Sequence, residues 1–291
     1  MQKILVTGAT GYVGGRLLHA LLEQGAAVRC LARRPEAIPV QPGLEVVAGD
    51  ALDATAVREA LEGVDVAYYL IHAMGAPESF EELDRHAAAI FAEAARDAGV
   101  RRIVYLGGLG EGPDLSPHLA SRHEVGRVLA STGVQTIELR ASIVIGSGSL
   151  SFELVRALAE RLPVMITPRW VDTRTQPIAE RDLVRALADL AERGAVPDEV
   201  QLGGAEVLTY REMMRGTARA MGRRPPNIVT TPVLSPRLSS YWVSLFTPYD
   251  PGLVRPLVDG LRSEMVVRTP PPSGINDAPL GFEDAVREAL R

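Results

Sequence analysis

The sequence predicts an α/β fold with a doubly wound parallel sheet, followed by a smaller C-terminal region. Two observations carry this expectation. Strand-sized apolar runs alternate with segments of helical period through the first half of the chain, and glycines close most of the helical segments. Three spaced glycines also sit between the first strand and the first helix. A chain of 291 residues can bury a sizeable core, as one large domain or two modest ones.

The elements follow in order. Lys3–Thr7 reads as strand one. Gly14–Gln24 places Leu17, Leu18, Leu21 and Leu22 at helical spacing and stops at Gly25, a common helix terminator. Ala27–Leu31 and Leu44–Ala48 are strands two and three, and Asp53 is placed to cap a helix over Ala54–Leu61. Val64–Ile71 is strand four, Ser79–Ala98 a long helix, Arg102–Leu106 strand five, His118–Ser131 a helix and Val134–Leu139 strand six. Right-handed crossovers between such strands give helices on both faces of the sheet. Beyond residue 146 the pattern loosens. Ser151–Arg161, Glu180–Arg193 and Thr209–Met221 read as helices, and a proline-rich tail carries the apolar stretch Tyr241–Phe246. Pro270–Gly274 reads as a linker to a last helix, Phe282–Leu290.

Composition narrows the class. Hydrophobic residues make up 46% and charged residues 23%, which excludes a disordered chain, a collagen and a coiled coil. No apolar run approaches the roughly 18 residues that suggest a membrane span. The opening MQKILVTG lacks the features of a secretory leader, and Cys30 is the single cysteine. The expectation is a reduced cytoplasmic protein with no disulfide and no metal site. A net charge of −5 gives no electrostatic case for nucleic acid. Lys3 is the only lysine, and it belongs to strand one. Chemistry that needs a positioned lysine elsewhere is thereby excluded, including a lysine-bearing phosphate loop and Schiff-base catalysis.

The glycine run is Gly8-Ala9-Thr10-Gly11-Tyr12-Val13-Gly14. Glycines permit a tight turn and close approach of a pyrophosphate, and the following helix N-terminus presents N–H groups and a positive dipole end. Residues 1–146 are therefore expected to form a dinucleotide-binding Rossmann domain, and 147–291 mainly a substrate lobe with segments returning to that core. The expected cofactor contacts are Gly8, Thr10, Gly11, Tyr12, Val13 and Gly14, joined by Arg33, Arg34, Asp50, Ala51 and Leu70. Strand two ends in Leu31-Ala32-Arg33-Arg34-Pro35, with no carboxylate before Glu36. An acidic residue there suits the ribose 2′-OH of NAD, whereas guanidiniums suit the 2′-phosphate of NADP. NADP is favoured over NAD. Asp50 is placed to reach the adenine amino group, or else serves the turn as a cap.

At this point the chain resembles the atypical short-chain dehydrogenase/reductases of the NmrA-like type, in a bacterial branch of NAD(P)H-binding proteins. TGATGYVGGRLL, LARRP, VVAGDALD and VAYYLIHAM carry the resemblance, with LGGLG (106–110), SPHLASRHEVG (116–126), ELRASIVIGSGS (138–149) and LPVMITPRWV (162–171). The resemblance implies a Rossmann domain with a small substrate region and names no substrate. Standard members of the superfamily carry a serine after strand five and a Tyr-x-x-x-Lys pair on the next helix. Here the first segment is Leu106-Gly107-Gly108, and the pair aligns with His118 and Arg122. Histidine could move a proton and arginine could hold a ribose hydroxyl; the alternative is that His118 only caps its helix. His72, at the end of strand four, is a second proton-transfer candidate.

Other constellations carry less. Tyr241, Trp242 and Phe246 either line an apolar pocket or pack the C-terminal lobe; Arg169 and Trp170 pose the same choice; Asp182 reads as structural. Two functions stay open. One is an NADP(H)-dependent oxidoreductase acting on a small organic substrate. The other is a non-catalytic NAD(P)H sensor that responds through a protein partner. The state of association, a homodimer included, is left open.

Overall fold

The computed structural model describes residues 2–72, 80–112, 115–231 and 260–291. Seven strands form a parallel sheet: β1 (Lys3–Thr7), β2 (Ala27–Ala32), β3 (Leu44–Ala48), β4 (Val66–Tyr69), β5 (Arg102–Gly108), β6 (Gln135–Ala141) and, far downstream, β11 (Glu199–Leu202). Their order is β3-β2-β1-β4-β5-β6-β11. In register, Lys3 faces Ala27, Ile4 faces Val66 and Val66 faces Arg102. The doubly wound sheet is therefore present, with β1 flanked by β2 on one side and β4 on the other.

The helices alternate with these strands: α1 (Tyr12–Glu23), α2 (Ala54–Leu61), α3 (Phe80–Asp97) and α4 (Pro117–Ala130), then α5 (Leu150–Arg161), α6 (Glu180–Glu192), α7 (Tyr210–Ala220) and α8 (Phe282–Ala289). Local chemistry sets their ends. Asp53 accepts the Thr55 and Ala56 N–H groups at 2.8 and 3.3 Å, a cap worth about 1 kcal/mol. Thr209 and Glu212 close a reciprocal capping box on α7. The remaining strands are short: β7 (Val144–Ile145) pairs with β10 (Ile178–Ala179), β9 (Arg174–Thr175) with β12 (Leu208–Thr209), and β8 (Val164–Thr167) with β13 (Asn227–Thr230). Among the described residues no helix is long and apolar enough to cross a membrane.

The chain divides into two compact units. The first comprises residues 1–107, 121–140 and 184–200 and contains most of the large sheet. Its core includes Leu5, Leu31, Ala67, Tyr69, Phe91 and Tyr105. Arg102, 2% exposed, donates to the Leu190, Arg193 and Gly194 carbonyls, and so anchors the end of α6. The second unit comprises residues 108–120, 141–183 and 201–291. Phe152, Met165, Val171, Met213, Ile228 and Phe282 pack its core. The tail is held there too: Met265 N–H donates to the Arg174 carbonyl, and Arg268 N–H to Gln201 Oε1. Asp182 is buried and accepts the Leu280 N–H at 2.7 Å, a structural role.

Candidate functional site

The site begins where β1 and β4 end. The Thr7 hydroxyl donates to the Tyr68 carbonyl at 2.9 Å and accepts the Leu70 N–H at 3.2 Å. This ties the two strand ends together at the point where strand order reverses, where open α/β sheets bind ligands. The chain leaves β1 through Gly8 at φ 71°, a left-handed conformation, and a Cβ there would lie 2.6 Å from the Leu70 carbonyl oxygen. At Gly14, in the first turn of α1, a Cβ would lie 2.2 Å from the Gly8 carbonyl oxygen. Both glycines are demanded by the fold.

Gly11 is different. Its φ is an ordinary −82°, and a Cβ would meet only the Gly8 oxygen, at 3.1 Å. The fold asks far less of this position, so its bare backbone fits a ligand lying against the helix end. Gly11 and Thr10 are exposed, Tyr12 and Val13 half-buried. Nothing in the first turn of α1 is acidic, and Gly11 supplies no side-chain cap, which leaves the positive end of the helix to an anion. A pyrophosphate fits this cradle.

At the end of β2, Arg33 and Arg34 are both exposed, Arg33 by 81% of its side chain. Arg33 Nε stands 4.0 Å from one Asp50 oxygen; the other accepts the Leu52 N–H at 2.9 Å. Asp50 thus shapes the turn after β3 and faces Arg33. Ala51 is buried beside it.

The ends of β4 and β5 carry side-chain chemistry. His72 Nδ1 lies 2.8 Å from an oxygen of Asp84 on α3, with side chains 14% and 4% exposed. Burial lowers the His72 pKa and outweighs the raising effect of Asp84; Arg122 lowers it further. The ring is therefore neutral near pH 7. Arg122, on α4, donates to the Leu106 carbonyl and lies 5.6 Å over the Tyr105 ring. The Tyr105 hydroxyl donates to the Arg122 carbonyl at 3.0 Å, and burial pushes its pKa up to about 12. That phenol stays protonated and occupied.

Sequence reading missed two carboxylates here. Asp84 is one. The other is Glu138 on β6, whose oxygens would stand 2.4 Å from a Cβ at Gly107 and 2.9 Å from one at Gly126. Glu138 pairs with Arg140 at 2.9 Å, and Arg140 with Glu199 at 2.7 Å. The segment that carries serine in standard family members must here be glycine, because a buried carboxylate fills the space. A glycine inside a helical pattern, Gly126, was the available signal for such a close approach.

His118 belongs to the second unit's part of α4 and Arg122 to the first's. The cap of α4 falls to Ser116, whose Oγ accepts the Leu119 N–H at 3.3 Å, and not to His118. Trp170 packs edge-on to Tyr210, with ring centroids 6.0 Å apart, while Arg169 is exposed. Tyr241, Trp242 and Phe246 lie outside the described residues. Burial pushes the Cys30 thiol up to about 12, so it is no nucleophile. Among the described residues no cluster of three His, Cys, Asp or Glu side chains could hold a metal.

With this geometry in hand, comparison with known proteins places the chain. Residues 8–144 match the NAD(P)H-binding family. The ceramide reductase of Caulobacter vibrioides is 30% identical, over 81% of this chain and 78% of that protein. The 3-beta-hydroxysteroid dehydrogenase of Mycolicibacterium neoaurum is 27% identical, over 91% and 82%. The triphenylmethane reductase of Citrobacter sp., solved with NADP(H), shares the fold at a TM-score of 0.77 and 19% identity, covering all of both chains. The chain belongs to the NAD(P)H-binding oxidoreductase family.

Proposed function

We propose that this chain is a cytoplasmic NADP(H)-dependent oxidoreductase that interconverts an alcohol and a ketone on an apolar organic substrate. The observation that carries the cofactor preference is the pair of exposed guanidiniums at the end of β2, followed by no carboxylate before Glu36, with Asp50 4.0 Å from Arg33 across the turn after β3. The glycine turn and the end of α1 would hold the pyrophosphate, and Arg33 and Arg34 the 2′-phosphate. Nicotinamide, when bound, supplies or receives the hydride. The substrate class rests on the two relatives named above, a 3-beta-hydroxysteroid dehydrogenase and a ceramide reductase.

Two histidines are candidates for the proton. His118 occupies the position of the usual tyrosine. His72 is held by Asp84, which orients the ring with Nδ1 toward the carboxylate. Arg122 occupies the position of the usual lysine and is braced by Leu106 and Tyr105. Calorimetric titration of NADPH and NADH into wild type and into Arg33→Ala/Arg34→Ala tests the preference. Charge-assisted bonds of about 1.5–3 kcal/mol predict a roughly 10- to 100-fold preference for NADPH, lost in the double variant. Equal affinities in wild type overturn it.

The sensor reading draws on one observation, the tethering of Arg122 to protein groups in place of a lysine free to serve a ribose. Reduction of no ketone, enone, aldehyde or quinone across a broad panel, together with an NADPH-dependent protein partner in a pull-down, would favour it.

A further inference from the structure

Within the first unit, Arg122 carries a charge that the described protein leaves unanswered. Three other arginines of this unit are largely buried, and each is filled. Arg29 pairs with Glu45 and donates to the Glu59, Ala60 and Glu62 carbonyls. Arg102 meets Gln135 and three carbonyls. Arg140 pairs with Glu138 and Glu199. Arg122, half-buried, donates to the Leu106 carbonyl, lies over the Tyr105 ring and forms no ion pair with a described carboxylate. The buried carboxylates around Tyr105 are already engaged, Asp84 by His72 and Glu138 by Arg140. A guanidinium withdrawn from water without a counter-ion is costly, and an anionic oxygen on a ligand would offset that cost.

The position of the charge indicates which ligand. Tyr69 and Tyr105 face each other in register. His72, three residues past Tyr69, and Leu106, one past Tyr105, therefore lie toward the same end of β4 and β5. The Arg122 charge is felt at His72, so the two side chains converge there. The cofactor's phosphates are provided for elsewhere. The glycine turn follows β1, and Arg33 and Arg34 follow β2, in the strand order β2-β1-β4-β5. At about 4.8 Å per strand, those groups start roughly 10 and 14 Å from β5. The nicotinamide ribose is neutral. A negative oxygen at Arg122 would belong to the molecule that reacts with the nicotinamide.

We propose that Arg122 is a catalytic residue whose guanidinium holds the reacting oxygen of the substrate, a carbonyl oxygen in reduction and an alkoxide-like oxygen in alcohol oxidation. This role rests on the oxidoreductase reading above and adds to it the group that meets the oxygen's charge. In oxidation the O–H proton passes to His72, and the electron pair of that bond closes the carbonyl. The hydride leaves the same carbon, with its bonding pair, for the oxidised nicotinamide. Negative charge grows on the oxygen as the proton departs, and a cation fixed in advance meets it without rearrangement. Tyr105 and Leu106 do the fixing. The ring and the Leu106 carbonyl hold the guanidinium, and the Tyr105 hydroxyl holds the Arg122 backbone.

Octanoate, an apolar chain that ends in an anionic oxygen, and its neutral isostere octanamide test this on the protein saturated with NADP+. Titration of the nucleotide alone comes first. No nucleotide binding would overturn the cofactor reading, and this role with it. Loaded wild type should bind octanoate about tenfold more tightly than octanamide, or more. Arg122→Met should lose that preference with nucleotide affinity nearly unchanged, and Arg122→Lys should keep part of it. Should the methionine variant misfold, Arg122→Gln keeps a polar side chain and should lose the preference too. Nucleotide binding without a preference for octanoate in wild type, or a preference that survives loss of the guanidinium, overturns the proposal alone. On any alcohol or ketone that turns over, Arg122→Ala should cost about 10²-fold in kcat, and millimolar guanidinium should restore part of it. An unchanged kcat, or a loss that guanidinium leaves untouched, would return Arg122 to bracing.

Discussion

In the β1–α1 turn, Gly8 holds a left-handed φ against the Leu70 carbonyl and Gly14 touches the Gly8 carbonyl, so the backbone itself demands two of the three glycines. At the ends of β4 and β5 the demands run through side chains, and there the usual residues have been exchanged. Gly107 makes room for Glu138, Arg122 is bound to Leu106, and His72 is paired with Asp84. Phosphate recognition uses main-chain N–H groups and a helix end, which any sequence with the right glycines can present. Proton transfer needs particular side chains, which can change while the fold stands. The first region is therefore the part that a whole family can share, and the second the part that can change from one member to another without loss of the fold.

The sharpest break of this contrast is within the turn. Gly14→Val forces a Cβ onto the Gly8 oxygen, and a loss of about 4–5 kcal/mol or failure to fold is expected. Gly11→Val meets one tight contact, 3.1 Å from the Gly8 oxygen, at an ordinary φ, so it should cost far less than Gly14→Val and leave a folded protein. Yet its side chain would occupy the space of the pyrophosphate. Thermal unfolding with and without NADPH separates the two. A Gly11→Val protein still stabilised by NADPH would mean that the phosphates lie elsewhere.

Turnover comes next. Once a substrate is found, replacement of the true proton carrier should cost about 10²-fold or more in kcat, with cofactor affinity nearly unchanged. His118→Ala and His72→Gln assayed side by side decide between the candidates. If neither variant loses turnover, the proton comes from water or substrate. Arg122→Ala should weaken cofactor binding if this side chain also reaches the nicotinamide ribose, and unchanged affinity would mean that it does not.

The same contrast governs what the sequence could reveal. Strands one to six and their helices were readable because each is local: an apolar run, a helical period, a closing glycine. β4 proved shorter than the apolar run Val64–Ile71, since Leu70 and Ile71 already belong to the loop over Gly8. β11 was missed because its four residues EVQL carry no local signal and their partner, β6, lies some sixty residues upstream. Asp84 follows Glu81 and Glu82 of the acidic first turn of α3, so its charge alone does not set it apart. It sits, however, three, four and seven residues before Ala87, Ala88 and Phe91, all buried, so helical period alone would have put it on the inner face. Glu138 was hidden because a strand carboxylate reads as solvated until the glycines opposite it are brought near.

The smallest expected effect concerns pH. His72 is held neutral by burial, with the charges of Asp84 on α3 and Arg122 on α4 acting on the ring. Its folded pKa lies below that of the unfolded chain, about 6.5, so below that pH the unfolded state binds the extra proton. The contribution of His72 to stability is therefore complete above about pH 6.5 and drains away as the pH falls toward the folded pKa, by at most about 1.4 kcal/mol per pH unit. Denaturant unfolding at pH 7.5, 6.5 and 5.5 should show wild type losing stability more steeply than His72→Gln. The other histidines are common to both proteins and cancel in the difference. Parallel slopes would mean that folding leaves the His72 pKa where it is in the unfolded chain, and a wild type that loses stability less steeply than the variant would mean that Asp84 holds the ring charged. In that case His72 would enter catalysis as a proton donor, and alcohol oxidation would no longer be the direction in which its resting state is ready to act.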